Sequence, residues 1–289
     1  MEQLYSLFSD SDSEEIEQCV IETAKIKKVS QQKVIEALLK IQKFEIEILY
    51  AGTLKDIFES LAKFKKKIIL NCSPRGIYVN EIDEKHVSLL ELDMSPQYFE
   101  RYRCAKEVHI KVNAVEISKH LKKVLRRDSV KIQLKDEKLH FLIERYKGGD
   151  ILKFSVPAMG AVHSALTVPS NEWDTKIKMP SDEFYQIIKK LKNKGTDAII
   201  RASKRNVVNI YSPDESAYFA IENDETHEVD VDSEDKVTLS THYLFLFAQS
   251  KKLAKKITIK ITQDFPVLFE FEQDYLIKLR YHIAPIISE

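Results

Sequence analysis

NAVEISKHLKKVLRRDS, residues 113–129, reads as one short helix with two unlike sides. At about 100° per residue, Ile117, Leu121, Val124 and Leu125 gather on one face, while Lys119, Lys122, Lys123 and Arg126 follow an i, i+3, i+4, i+7 series on the other. Such a helix covers a sheet with its apolar side and offers cations to whatever lies opposite. The stretch KVTLSTHYLFLFAQSKKLAKK (236–256) has the same plan, a strand running into a helix that ends in lysines. The helix around Tyr243 stands 127 positions beyond the one around Glu116. Two copies of one unit are the simplest account.

Working outward, the rest of the chain falls into that repeat. FEIEILYA (44–51) alternates like a strand, and TLKDIFESLAKF (53–64) is helical with Leu54, Ile57, Phe58, Leu61 and Phe64 on one face. KIILNC, GIYVNEI and HVSLLEL read as strands before the helix at 113–129, and SVKIQLK, KLHFLIERY and DILKFSVPA follow it, with KDE and KGGD as turns. In the second half WDTKIKM (173–179), the helix PSDEFYQIIKKLKNK (180–194) and the strands DAIIRAS, NVVNIYS and SAYFAIEN lead to the helix near Tyr243, and KITIKIT, PVLFEFEQ and YLIKLRYHI close the chain. Trp173 stands for Phe44 at a spacing of 129. The fold class is α+β: two repeated domains, 44–157 and 173–289, each with two helices packed on antiparallel sheets. Small residues and two prolines mark 158–172 as an interdomain connector, and residues 1–43, with a Ser/Asp/Glu entry and two amphipathic segments, form a helical N-terminal extension.

Composition removes several function classes. The 289 residues are 44 % hydrophobic, enough for a proper core, and 45 Lys and Arg balance 45 Asp and Glu. The whole molecule therefore has no net field to draw it onto nucleic acid or an acidic membrane, and any such attraction must come from segregated charge. Three cysteines, Cys19, Cys72 and Cys104, with no CxxC pair, argue against a disulfide framework and a zinc cluster. Acids occupy the N-terminus where a signal peptide needs an apolar core, and no run of about 18 apolar residues occurs. A soluble protein of a reducing interior, nucleus or cytosol, is the expectation.

Charge is segregated by element. The first helix carries Lys55 and Lys63, with Lys65, Lys66 and Lys67 beyond it; the third carries Lys189, Lys190, Lys192 and Lys194; the fourth ends with Lys251, Lys252, Lys255 and Lys256. Acids concentrate in DEKH (83–86), QDYL (273–276) and ENDETHEVDVDSED (222–235). Equivalent helices set side by side would merge the lysine stripes into one basic surface, whose strongest partner is a phosphate backbone. Lysine predominates, and no cluster of Asn, Gln and Arg suits base edges, so contact without sequence specificity is expected.

These stretches, with KMPSDEF (178–184), HVSLLEL (86–92), YRC (102–104), DFPVLFEF (264–271) and LRYHIAP (279–285), resemble the sliding clamps of the proliferating cell nuclear antigen family from Phe44 to Glu289. The resemblance implies a head-to-tail ring trimer, a processivity factor that encircles double-stranded DNA with its helices lining the hole. It implies a DNA-binding surface of Lys55, Lys63, Lys119, Lys122, Lys123, Arg126, Lys189, Lys190, Lys251 and Lys252, although Ala62, Gln186 and Gln249 stand where the family is basic. DILKFSVPA and SAYFAIEN match its intersubunit strands. A partner-peptide pocket is implied at Ile82, His86, Val87, Leu166, Val168, Trp173, Pro266, His282, Ala284 and Pro285, with DNA polymerase, clamp loader, flap nuclease and ligase as partners through short motifs with aliphatic and aromatic anchors. His282 stands where the family usually has tyrosine and Ile286 where it has lysine; Lys204 matches a lysine used for ubiquitin attachment. The nucleus is the implied location, or the cytoplasmic site of replication for a viral protein.

No catalytic constellation accompanies this. The eight histidines lack HxxxH or HExxH spacing, and neither GxxxxGK nor GxGxxG occurs. The EVDVDSED run lacks the glycine and terminal glutamate of a calcium loop and reads as a solvated loop. The sequence thus predicts a protein that is not an enzyme, without cofactor or metal, acting on DNA in replication and repair. Alternatives are a monomeric processivity factor, a subunit of a heterotrimeric checkpoint clamp, and a peptide-binding adaptor without DNA.

Overall fold

The structure, a computed structural model, describes residues 44–161, 166 and 172–286. The N-terminal extension expected over 1–43 and the pocket residue Val168 lie outside the described residues. In the first module, β1 (Glu45–Ile48) leads into α1 (Ala51–Phe64), then β2 (Lys67–Ser73), β3 (Gly76–Ile82), β4 (Ser88–Met94), β5 (Arg101–Arg103) and β6 (Val108–Asn113). Helix α2 (Ala114–Leu121) follows, then β7 (Ser129–Lys135), β8 (Lys138–Glu144), β9 (Ile151–Pro157) and the two-residue β10 (Met159–Gly160). The second module has β11 (Thr175–Pro180), α3 (Ser181–Lys192), β12 (Asp197–Ser203), β13 (Val207–Tyr211), β14 (Tyr218–Glu222), β15 (Glu228–Val231), β16 (Lys236–Ser240), α4 (Thr241–Ala248), β17 (Lys256–Ile261), β18 (Val267–Gln273) and β19 (Ile277–Ile283).

Pairing shows the repeat more sharply than element order. One sheet runs β5-β1-β7-β8-β9, and its counterpart β15-β11-β17-β18-β19 recurs in the second module. Likewise β6-β2-β3-β4 recurs as β16-β12-β13-β14. The two modules fuse where β19 pairs antiparallel with β4, from Ile277 opposite Met94 to Ile283 opposite Ser88, giving one ten-stranded sheet across the chain. Among the described residues that fusion leaves β9 and β14, the strands equivalent to β19 and β4, as free edges. Ladder registers place Ile48 with Met179, which shifts the first strand's match by two positions from Phe44 with Trp173.

The helices cover one side of the sheets because their periodicity demands it. Leu54, Ile57, Phe58 and Leu61 of α1, Ile117 and Leu121 of α2, Phe184, Ile187, Ile188 and Leu191 of α3, and Leu244 and Phe247 of α4 are all buried in one core with the inward sheet residues. Two expectations need correction here. The helix read over 113–129 ends at Leu121, and Leu125, expected on its apolar face, is 64 % exposed. The cause is Asp128, fully buried, whose carboxylate accepts from the Leu125 backbone N–H at 2.8 Å and from Arg145 at 2.6 Å and so turns the chain before a further helical turn can form. The acidic run read as a loop is partly strand, since Glu228–Val231 pairs with β11 as the edge of the large sheet. The connector begins as structure too, with β10 paired to β6.

One polar cluster holds the β3–β4 turn against the second module. Asp83 accepts hydrogen bonds from the backbone N–H groups of Lys85 (3.0 Å), Val87 (2.8 Å) and Ser88 (2.7 Å), and from the Tyr243 hydroxyl of α4 (2.6 Å). Burial would raise its carboxyl, but the Tyr243 hydroxyl and these N–H groups outweigh that and hold it below the ordinary aspartate range. A depressed folded-state value means that the stabilisation is present above the unfolded pKa and is lost as pH falls through the folded one. Asp83→Ala is therefore expected to lower unfolding free energy by about 2–4 kcal/mol near neutral pH. In denaturant titrations its deficit against wild type should narrow below about pH 4.

Candidate nucleic-acid and peptide interfaces

The helices form one layer. Helix α1 packs against α2, α3 against α4, and both α1 and α3 meet the 3-10 turn Gln249–Lys252 that ends α4. Around Glu59 of α1 the cations of three elements converge: the Lys63 bond at 2.7 Å is the main reason its carboxyl sits below the usual range, and Lys252, 3.9 Å away, and Lys122 add to it. The stripes thus lie on the same side of the molecule. On that side Lys63, Lys119, Lys122, Lys123, Lys189, Lys190 and Lys252 are exposed. Among the described residues Lys119, Lys123 and Lys189 have no carboxylate partner, and Lys122 only adds to the field at Glu59, which leaves their ammonium groups available to an external polyanion.

Other candidates are already engaged. The Lys55 ammonium donates to the carbonyls of Lys122 (2.9 Å) and Val124 (3.1 Å), closing the turn after α2 where helix carbonyls would otherwise lack partners. Arg126 reaches back to Asp56, a carboxylate only 6 % exposed, at 3.1 Å. Burial raises the Asp56 carboxyl, and the opposing pull of Arg126 does not offset this fully. Lys251 bonds Asp182 at 2.6 Å and lies 4.3 Å from the Tyr185 ring centre. Lys55, Arg126 and Lys251 therefore first stitch elements together. Lys256, read as the end of the fourth helix's stripe, instead begins β17 and faces Glu228 on the sheet side.

The side of the ten-stranded sheet opposite the helices carries the second candidate surface. Ile82, Leu89, His282 and Leu268 lie opposite one another across four adjacent strands. The Ala284 N–H donates to the Val87 carbonyl at 3.1 Å, and Ser88 Oγ donates to the His282 carbonyl at 2.8 Å, so the turn after β3 and the end of β19 lie side by side at the end of that row, the place of the candidate cleft. Ile82, Val87 and Pro285 are half-buried, whereas His86, Pro266 and Ala284 are exposed at the rim. Leu166 is brought over the sheet through its carbonyl, which accepts from Asn80 Nδ2 at 2.9 Å. Trp173 is half-buried at the foot of β11, where Thr262 bonds both neighbours, Glu172 and Asp174.

Sequence reading missed the residues that shape this cleft. Leu89 and Leu268 belong to it by the pleat of their strands, and the alternation in VSLLEL and PVLFEF is their signal. Beneath lies a polar chain: Asn80 Nδ2 also donates to the Tyr78 hydroxyl (2.7 Å), Tyr78 donates to Glu91 Oε1 (2.8 Å), and Glu91 Oε2 meets His282 Nε2 (2.8 Å). Burial alone would raise the Glu91 carboxyl, but His282 and Tyr78 outweigh it and keep the group below the ordinary glutamate range. Among the described residues no group of three or more His, Cys, Asp or Glu side chains is placed to hold a metal.

Comparison with known proteins agrees with this geometry. The model of the proliferating cell nuclear antigen N-terminal domain matches residues 43–161, and that of the C-terminal domain matches 167–286. The proliferating cell nuclear antigen of Dictyostelium discoideum is 27 % identical over 257 residues, covering 85 % of this chain and 100 % of its own. The placement of Lys55 makes a separate prediction: Lys55→Met should cost about 1 kcal/mol of stability from the two lost charge-assisted bonds. Lys123→Met, whose side chain is exposed, should leave the melting temperature within about 1 °C of wild type in differential scanning fluorimetry.

Proposed function

We propose, from the premise that this chain belongs to the proliferating cell nuclear antigen family and is a DNA sliding clamp without chemistry of its own, that three copies close head to tail around duplex DNA with the lysine layer inward. One observation carries this reading: the edges left free are the equivalents of the edges already joined. At the junction within the chain, Leu90, Leu92, Leu279 and Tyr281 are at most 1 % exposed. Helices α2 and α4 start 127 positions apart, and with the ladder registers this equates those four residues with Ala217 and Phe219 on β14 and Leu152 and Phe154 on β9. All four equivalents are only half-buried in the single chain. Pairing β9 of one copy with β14 of the next would bury them as their counterparts are buried, and would set Tyr218 opposite Lys153 as Glu91 lies opposite Arg280. Exposed Ile151 and Tyr218 would gain cover by the same step.

In the ring, Lys63, Lys119, Lys122, Lys123, Lys189, Lys190 and Lys252 contact phosphates directly, while Lys55, Arg126 and Lys251 shape the wall and add to its field. Flexible ammonium groups without base-reading partners hold the duplex wherever it passes, so the ring slides. The cleft at Ile82, Val87, Leu166, His282, Ala284 and Pro285 receives short peptide motifs of polymerase, clamp loader, flap nuclease and ligase, with His86, Trp173 and Pro266 at its margin. Tethering then raises the effective concentration of the bound enzyme at the primer end. The working location is the nucleus. The domain limits proposed are 44–157 and 173–289, with 158–172 as connector.

Retention on DNA tests the ring. Protein loaded onto closed circular DNA should co-elute with it at salt that dissociates ordinary basic proteins, and one cut in the circle should release it; equal retention on circle and linear product would refute encirclement. Lys119→Glu, Lys122→Glu and Lys123→Glu combined should weaken duplex binding at least tenfold at low salt and make log Kd about two to three units less steep in log salt concentration. An unchanged slope would place the phosphates elsewhere.

A further inference from the structure

We propose that His282 makes this clamp select a hydroxyl-bearing aromatic anchor, tyrosine in preference to phenylalanine, in the peptides that enter the cleft; the inference rests on the peptide-pocket reading above. His282 points outward from β19 between Leu89 and Leu268 and is 6 % exposed. Its two ring nitrogens are not equivalent. An ionised carboxylate only accepts, and both Glu91 oxygens are in use, Oε1 by the Tyr78 hydroxyl and Oε2 by His282 Nε2, each at 2.8 Å. In the neutral form of the imidazole the proton therefore sits on Nε2, and the lone pair of that tautomer is on Nδ1. Among the described residues no donor reaches Nδ1.

The ring has little freedom to exchange these roles. Glu91 is held by Tyr78, Tyr78 by Asn80, and Asn80 by the Leu166 carbonyl of the connector. Around the free acceptor the row is apolar, with Ile82, Leu89 and Leu268 as neighbours across the strands. An apolar row with one acceptor set in it fits an aromatic ring that ends in O–H. Phenylalanine fills the same space but displaces water from Nδ1 and returns no hydrogen bond, and that difference is the source of selectivity.

The test titrates the assembled full-length protein with two labelled synthetic peptides. They share one aliphatic anchor and differ only in tyrosine or phenylalanine at the aromatic anchor, and binding is read by fluorescence anisotropy. Wild type should bind the tyrosine peptide about tenfold more tightly, the size of one good hydrogen bond. His282→Phe should abolish or invert the preference, and Glu91→Gln, which keeps the bulk but frees the tautomer, should shrink it. The wild-type comparison needs no substitution, so a fold defect in a variant does not weaken it. Equal affinities for wild type, or a preference that persists in His282→Phe, would overturn the inference and leave the pocket standing. Ala284→Arg fills the rim of the cleft: if it binds both peptides as tightly as wild type does, the pocket reading fails and the selectivity falls with it.

Discussion

A β-strand at the edge of a sheet must be paired, covered or defended, and in this chain that constraint organises everything else. The modules are joined by one ladder, β19 on β4, that continues a sheet from one domain into the next. Because the modules repeat, the joint leaves behind a second pair of edges of the same kind, β9 and β14. Neither edge is defended by a proline within the strand before Pro157, and each presents a half-buried apolar row on its inner side. A surface of that sort can be completed by another copy, so the proposed assembly uses the same pairing rule as the fold.

The proposed closure also gives meaning to a charge pattern that whole-molecule bookkeeping hides. A chain with equal numbers of acids and bases attracts nothing at a distance. Within about 8 Å, the screening length at physiological salt, the local arrangement decides. On the helical layer Glu59 is surrounded by Lys63, Lys122 and Lys252, whereas the sheet side balances its charges in pairs such as Arg280 with Asp93 and Glu270. One side is left with surplus cations, and because the totals are equal the matching surplus of acids lies elsewhere on the chain. The same helices meet the sheets with their apolar faces, so basic surface and core are two sides of one element.

The sequence made the periodic part of this legible. Alternation and helical spacing located both modules, and the apolar faces of α1 and α3 are those the structure buries. It failed where a distant partner overrides local pattern. Leu125 has the right spacing for a core position, but Asp128 and Arg145 bend the chain before that turn of helix forms. Lys55 sits on the outward face, yet carbonyls 67 and 69 residues away engage its ammonium group. At the cleft, the sequence singled out His282 through resemblance, but its pairing with Glu91, 191 positions away, and so the identity of its free nitrogen, exist only once β4 and β19 are neighbours.

The most direct measurement of the central claim is covalent capture of the second joint. With Tyr218→Cys and Lys153→Cys in the same chain, mild oxidation should convert the protein at micromolar concentration into a closed species of three times the 33.6 kDa chain mass, and either substitution alone should yield no such species. A product that remains a single chain under those conditions, with a native mass to match, would contradict the account.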